Sequence, residues 1–169
     1  VGKHLKKNAF LALMWSLTGI LIYVGIRFKN MIYASAGIIA LFHDVAIGMG
    51  ALALTGGEMD LNIIAALLTI AGYSINDTIV IYDRIRENLK LYRKASMKEI
   101  VNMSVNQTLS RTILTSLMTL LTVVSIFIFG GEVLKPFSFV LLAGMISGVY
   151  STVYIASPLI ISWSTRQAK

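Results

Sequence analysis

Residues 61–88 read LNIIAALLTIAGYSINDTIVIYDRIREN. From Leu61 to Ile81 the run is almost entirely apolar, yet Asn76 and Asp77 lie inside it, and dense charge begins only at Asp83. A helix of roughly 20 apolar residues crosses the ~30 Å hydrocarbon core of a bilayer. The segment therefore reads as a membrane span. A charge at mid-bilayer costs at least ~2.5–3.5 kcal/mol on insertion scales, and local helix propensity returns nothing for it. An acid in such a place is read as functional, with a partner inside the helix bundle.

The rest of the chain has the same character. Of its 169 residues 56% are hydrophobic and only 14% charged, and the mean hydropathy is +0.76. Soluble domains carry about 25% charged residues, so composition points to a membrane protein. The absence of cysteine excludes disulfides, thiolate metal sites and cysteine nucleophiles. A net charge of +7 raises nucleic acid as a partner, but surplus Lys and Arg on a membrane protein mark cytoplasmic loops; no nucleic-acid partner is expected. The chain starts at Val1 and enters an apolar run at once. No small-residue cleavage triplet follows that run, so it is not read as a signal peptide. The expectation is a piece of a longer protein.

Five segments qualify as spans: about 9–26, 31–54, 61–82, 109–129 and 137–163. Each is expected to be helical, because backbone groups cannot go unpaired in lipid. With the N-terminus outside, eleven basic residues fall inside: Arg27, Lys29, Arg84, Arg86, Lys90, Arg93, Lys94, Lys98, Arg111, Arg166 and Lys169. Four fall outside, namely Lys3, Lys6, Lys7 and Lys135. The asymmetry favours N-out, C-in. In the long loop, Ser96 and Glu99 have capping-box spacing. Met97, Ile100, Val101, Val105 and Leu109 follow at helical intervals. That pattern suits an amphipathic helix at the cytoplasmic interface; a solvated extension of the fourth span fits it equally. The expected fold is an all-α membrane protein of five transmembrane helices, forming one domain, with that amphipathic helix between the third and the fourth.

Two acids lie within spans: Asp77, about 8 Å from the cytoplasmic end of the third at 1.5 Å per residue, and Asp44, preceded by His43, near the middle of the second. Arg111 opens the fourth span, and Thr108, Thr115, Thr119, Thr122 and Ser125 project within roughly 80° of its direction. Asp77 and Arg111 are the leading pair. The plainer alternatives are an Arg111 that snorkels to the headgroups and an Asp77 that is a static, neutral acid. Asn76, Asp44, His43 and Thr115 form a secondary polar set. In the last span Gly144 and Gly148, four apart, suit close helix packing. No metal set is expected. Tyr82-Asp83 lacks the companion Gly-x-Gly-Asp of intramembrane aspartyl proteases, and neither Gly-x-Ser-x-Gly nor His-Glu-x-x-His occurs. No enzymatic activity is expected.

Several stretches together resemble the SecD/SecF family of bacterial protein-export membrane subunits, within the resistance-nodulation-division superfamily. They are GYSINDTIVIYDRIREN (72–88), FHDV (42–45), NQTLSRTILTS (106–116), FGGEVLKPFS (129–138) and GVYSTVYIASP (148–158). The resemblance covers nearly the whole chain with the motifs in order. It implies a SecF-type chain, separate or as half of a SecDF fusion, in the bacterial inner membrane. It also implies six spans, with a first helix and a periplasmic domain upstream of this chain. Asp77 and Arg111 would serve proton passage, with protons as coupling ion and no other cofactor. The implied partners are SecD, the SecYEG translocon and YajC, with unfolded secretory or membrane proteins as substrates. Two rivals remain: a proton-coupled small-molecule efflux transporter, and a scaffold that docks on a translocon through the Gly144/Gly148 face.

Overall fold

The computed structural model describes the backbone of residues 2–28 and 30–167. Lys29 and Lys169 from the orientation count lie outside the described residues, as do the side chains of Lys3, His4, Lys6 and Arg166. Six helices follow in order: α1 (Gly2–Phe28), α2 (Met31–Thr55), α3 (Leu61–Leu91), α4 (Met97–Phe129), α5 (Gly131–Ser151) and α6 (Ser157–Gln167). A π-helical turn, Thr152–Ala156, joins the last two without a break. Among the described residues, five stretches are long and apolar enough to cross a membrane: Phe10–Phe28, Met31–Thr55, Leu61–Leu91, Met97–Phe129 and Gly131–Ser164.

Helix starts and stops follow from local chemistry. Asn30 caps α2 by accepting the Ile32 N–H at 2.9 Å, and Asp60 caps α3 by accepting that of Ile63 at 2.8 Å. The capping box at Ser96 and Glu99 forms as its spacing predicts. Gly56, at φ 66°, ends α2 and sends its N–H back to the carbonyls of Leu52 and Ala53, a left-handed closure that glycine adopts without strain.

Three boundaries differ from the sequence reading. The third span does not stop near Tyr82 but runs to Leu91. No separate amphipathic helix lies between the third and fourth spans, because Met97–Phe129 is one continuous helix of 33 residues. At 1.5 Å per residue it is about 50 Å long, more than a bilayer core needs, and its first turns carry Ile100 and Val101 into the bundle. Hydrophobic spacing cannot distinguish a helix that lies on an interface from one that continues into a span. The last span starts at Gly131 rather than 137 and is interrupted by the π turn. Pro158 lacks an N–H, and its ring would press on the carbonyl four residues earlier; the extra residue in the preceding turn makes room. Ser157 donates its hydroxyl to the Thr152 carbonyl there, at 2.9 Å.

The bundle is organised around α5, which packs against α2, α3 and α4, while α1 packs against α2 and α3. Phe28, Tyr33 and Tyr82 interlock at one end, with ring centroids 5.1–5.8 Å apart. Leu67, Ile70, Val140, Leu141 and Met145 fill the other half. Between these lie the polar groups.

Candidate functional site

Asp77 is buried on α3, only 4% exposed. The Ser116 hydroxyl of α4 faces its carboxyl, and Arg111 is near enough for its charge to be felt there. No hydrogen bond is completed at Asp77 Oδ2 or at Ser116 Oγ. Among the described residues no ion pair within 4 Å joins Asp77 to Arg111, whose residue is exposed. The acid and the guanidinium therefore share a neighbourhood without clasping.

The face of α4 that meets α3 is only in part the one the sequence favoured: of the expected stripe, Thr108 alone is buried. Thr115, Thr122 and Ser125 are exposed and Thr119 is half-buried. Each hydroxyl of the four bonds to the carbonyl four residues earlier. The column pointing inward is Ser104, Thr108, Thr112 and Ser116, all buried and four apart. Hydroxyls occur all around this helix, so their spacing does not set its rotation; the packing of Ile100 and Val101 does. Asn76 is exposed on α3, and no bond ties it to Asp77.

The most fully built polar cluster surrounds Asp44, which is 0% exposed. Its Oδ2 accepts from Ser74 of α3 at 2.5 Å and from Ser151 of α5 at 2.6 Å. Its Oδ1 accepts from Ser147 at 2.7 Å and lies 3.1 Å from His43 Nδ1. His43 Nδ1 is also 3.3 Å from the Ser147 hydroxyl. No Lys or Arg lies within 4 Å of Asp44 among the described residues. The sequence signal for this cluster was present: Ser147 and Ser151 sit four apart beside Gly144 and Gly148. Nothing in one dimension said that α5 would turn them toward α2.

Gly144 and Gly148 face α3 of the same chain. A Cβ on Gly144 would overlap the Ile70 side chain of α3, and one on Gly148 would lie 3.3 Å from Ser74 Cβ. Nearer the α3–α4 loop, Asn88 was missed by the sequence reading. It is 1% exposed and donates to Ser104 Oγ at 2.8 Å and Gln107 Oε1 at 2.9 Å. Arg84 Nε donates to the same Gln107 oxygen at 2.6 Å. A groove of about 440 Å³ between α4 and α5, lined by Leu109, Ile113, Ser116, Ile146 and Tyr150, brings the outside within one side chain of Asp77.

Residues 1–166 match the family model described as "Protein export membrane protein SecD/SecF, C-terminal". The chain belongs to the SecD/SecF family. It is 51% identical over 163 residues to the protein translocase subunit SecF of Koribacter versatilis, a match covering 96% of this chain and 40% of that one. The SecF of Calditerrivibrio nitroreducens is 52% identical over 162 residues, covering 95% and 53%. The crystal structure of SecDF, a translocon-associated membrane protein from Thermus thermophilus, superposes with a TM-score of 0.94 at 48% identity, covering 98% of this chain and 23% of that one. The chain thus spans about half or less of the length of these SecD/SecF relatives, which are named as translocase subunits and not as enzymes.

Proposed function

We propose that this chain is the membrane domain of an accessory subunit of the bacterial Sec translocon that uses proton flow to promote protein export. One observation carries the reading: Asp77 is a buried carboxyl with an unpartnered oxygen, in a membrane-spanning bundle of the SecD/SecF family. Burial favours the neutral acid, and a nearby guanidinium favours the carboxylate. Arg111 is close to Asp77 without being bonded to it, so a small helix displacement in either direction changes that balance. A carboxyl with an oxygen free to take a proton suits such a switch better than one enclosed by donors.

One charge crossing ~100 mV supplies about 2.3 kcal/mol, available to move whatever domain the full protein uses on its substrate. The reading carries with it an N-out, C-in orientation in the inner membrane. It also carries SecD, SecYEG and YajC as partners, unfolded secretory proteins as substrates, and protons as the only coupling species. The scaffold alternative has less to recommend it, since Gly144 and Gly148 are already occupied by α3.

The experiment is Asp77→Asn in the full-length protein, with export into inverted membrane vesicles measured with and without a proton gradient. The variant should accumulate normally and lose the gradient-dependent part of export. An undiminished gradient response would overturn the proposal.

A further inference from the structure

Asp44 lies in the next helix along from the Asp77 site and has the opposite character: both its oxygens are occupied, by donors from α3 and α5 and by its neighbour His43. The donors define what it joins. Ser74 belongs to α3, and Ser147 and Ser151 belong to α5. One buried carboxyl on α2 therefore ties three helices together. One turn along α3, the Thr78 hydroxyl meets Thr152 Oγ1 of the π turn at 3.2 Å, so a second bond on the same face of α3 points the same way.

Ser74 and Asp77 are three residues apart, which separates them by about 60° around the helix at 100° per residue. With Ser74 held against α2 and α5, Asp77 is turned toward α4 and Ser116. A rotation of α3 by that angle in one direction would bring Asp77 round to where Ser74 now sits; in the other it would carry Asp77 past Ser116. Apolar packing also holds α3, with Ile70 seated against Gly144 of α5. Hydrogen bonds to one carboxyl have a single register. Gly148 lets α5 approach Ser74 closely enough for both its serines to reach.

We propose that Asp44 is a positioning residue: through Ser74 it sets the rotation of α3 that aims Asp77 at Ser116 of α4. The inference rests on the reading of Asp77 as the proton site for its functional consequence, but the geometry can be tested independently. The chain contains no cysteine, so a pair introduced as Asp77→Cys and Ser116→Cys in the full-length protein reports α3–α4 alignment by its oxidative cross-linking rate. Ser74→Ala removes the α3 bond alone and leaves the α2–α5 bonds standing. It should slow cross-linking roughly tenfold, the equivalent of about 1.4 kcal/mol in the aligned population, near the upper end of what one ordinary hydrogen bond contributes. Asp44→Ala should slow it at least as much. Asp44→Asn retains an acceptor and should restore part of the rate, a rescue that a simple space-filling role would not produce. In chains that keep Asp77, gradient-dependent export should fall in the same order.

An unchanged cross-linking rate in Ser74→Ala and Asp44→Asn overturns the proposal; those two variants decide it even if Asp44→Ala does not accumulate. Lost gradient dependence with unchanged cross-linking would make Asp44 a proton carrier instead, which also overturns it. If Asp77→Asn keeps the gradient response, the export reading fails, while the cross-linking arm still decides whether Asp44 aims α3.

Discussion

A single methyl group placed on Gly144 tests the packing that brings α5 onto α3. The Cβ of Gly144→Ala would overlap three side-chain carbons of Ile70, which is 0% exposed and so has nowhere to retreat. Overpacking of this kind costs about 1–3 kcal/mol. Ile70→Ala alone leaves a void and costs about 2–5 kcal/mol. In the double variant the new methyl group occupies part of that void, so the combined loss should fall short of the sum by ~1–3 kcal/mol, as expected for residues in direct contact. Gly72→Ala is the control, since nothing lies within 4 Å of its Cβ position; it should cost nothing and gain up to ~1 kcal/mol, as Gly→Ala does inside a helix. Unfolding in mixed detergent micelles, followed by the fluorescence of Trp15 and Trp163 and by helix content, measures all four. Strictly additive single losses, or a neutral Gly144→Ala, would show that the α3–α5 contact is not as close as described.

Three further outcomes follow from the same geometry. Arg111→Lys should weaken gradient-dependent export without affecting accumulation, because a point charge on a flexible stem does not reproduce a planar guanidinium; Asp77→Glu should retain part of the activity. Single cysteines at Glu58 and Glu132 should react with an impermeant thiol reagent on intact cells, whereas one at Lys90 should react only after lysis; protection of the first two would reverse the orientation. Asn88→Ala should destabilise the α3–α4 clasp by about 1–3 kcal/mol, since Ser104 and Gln107 lose a buried donor; faster amide exchange around residues 84–91 would report it.

The sequence alone determined the helical class, five stretches long and apolar enough to cross a membrane, and the capping box at Ser96 and Glu99; it also singled out the small-residue spacing of Gly144 and Gly148 and Asp77 as the acid of interest. All of these depend on composition, on spacing along one helix, or on the cost of a charge in lipid, and each is a local or one-dimensional property. Which way each helix turns was decided by the tertiary structure. Most of the Arg111 stripe faces outward while Thr108, Thr112 and Ser116 face inward, because Ile100 and Val101 set the rotation of α4 and hydroxyls on every side left the spacing ambiguous. Asp44 acquired its three serines only when α5 crossed both α2 and α3, an arrangement between residues 30 to 107 positions apart. A carboxyl's neighbours along the chain state what it costs to bury; its neighbours across the bundle decide whether it is held fast or left an oxygen free to exchange a proton.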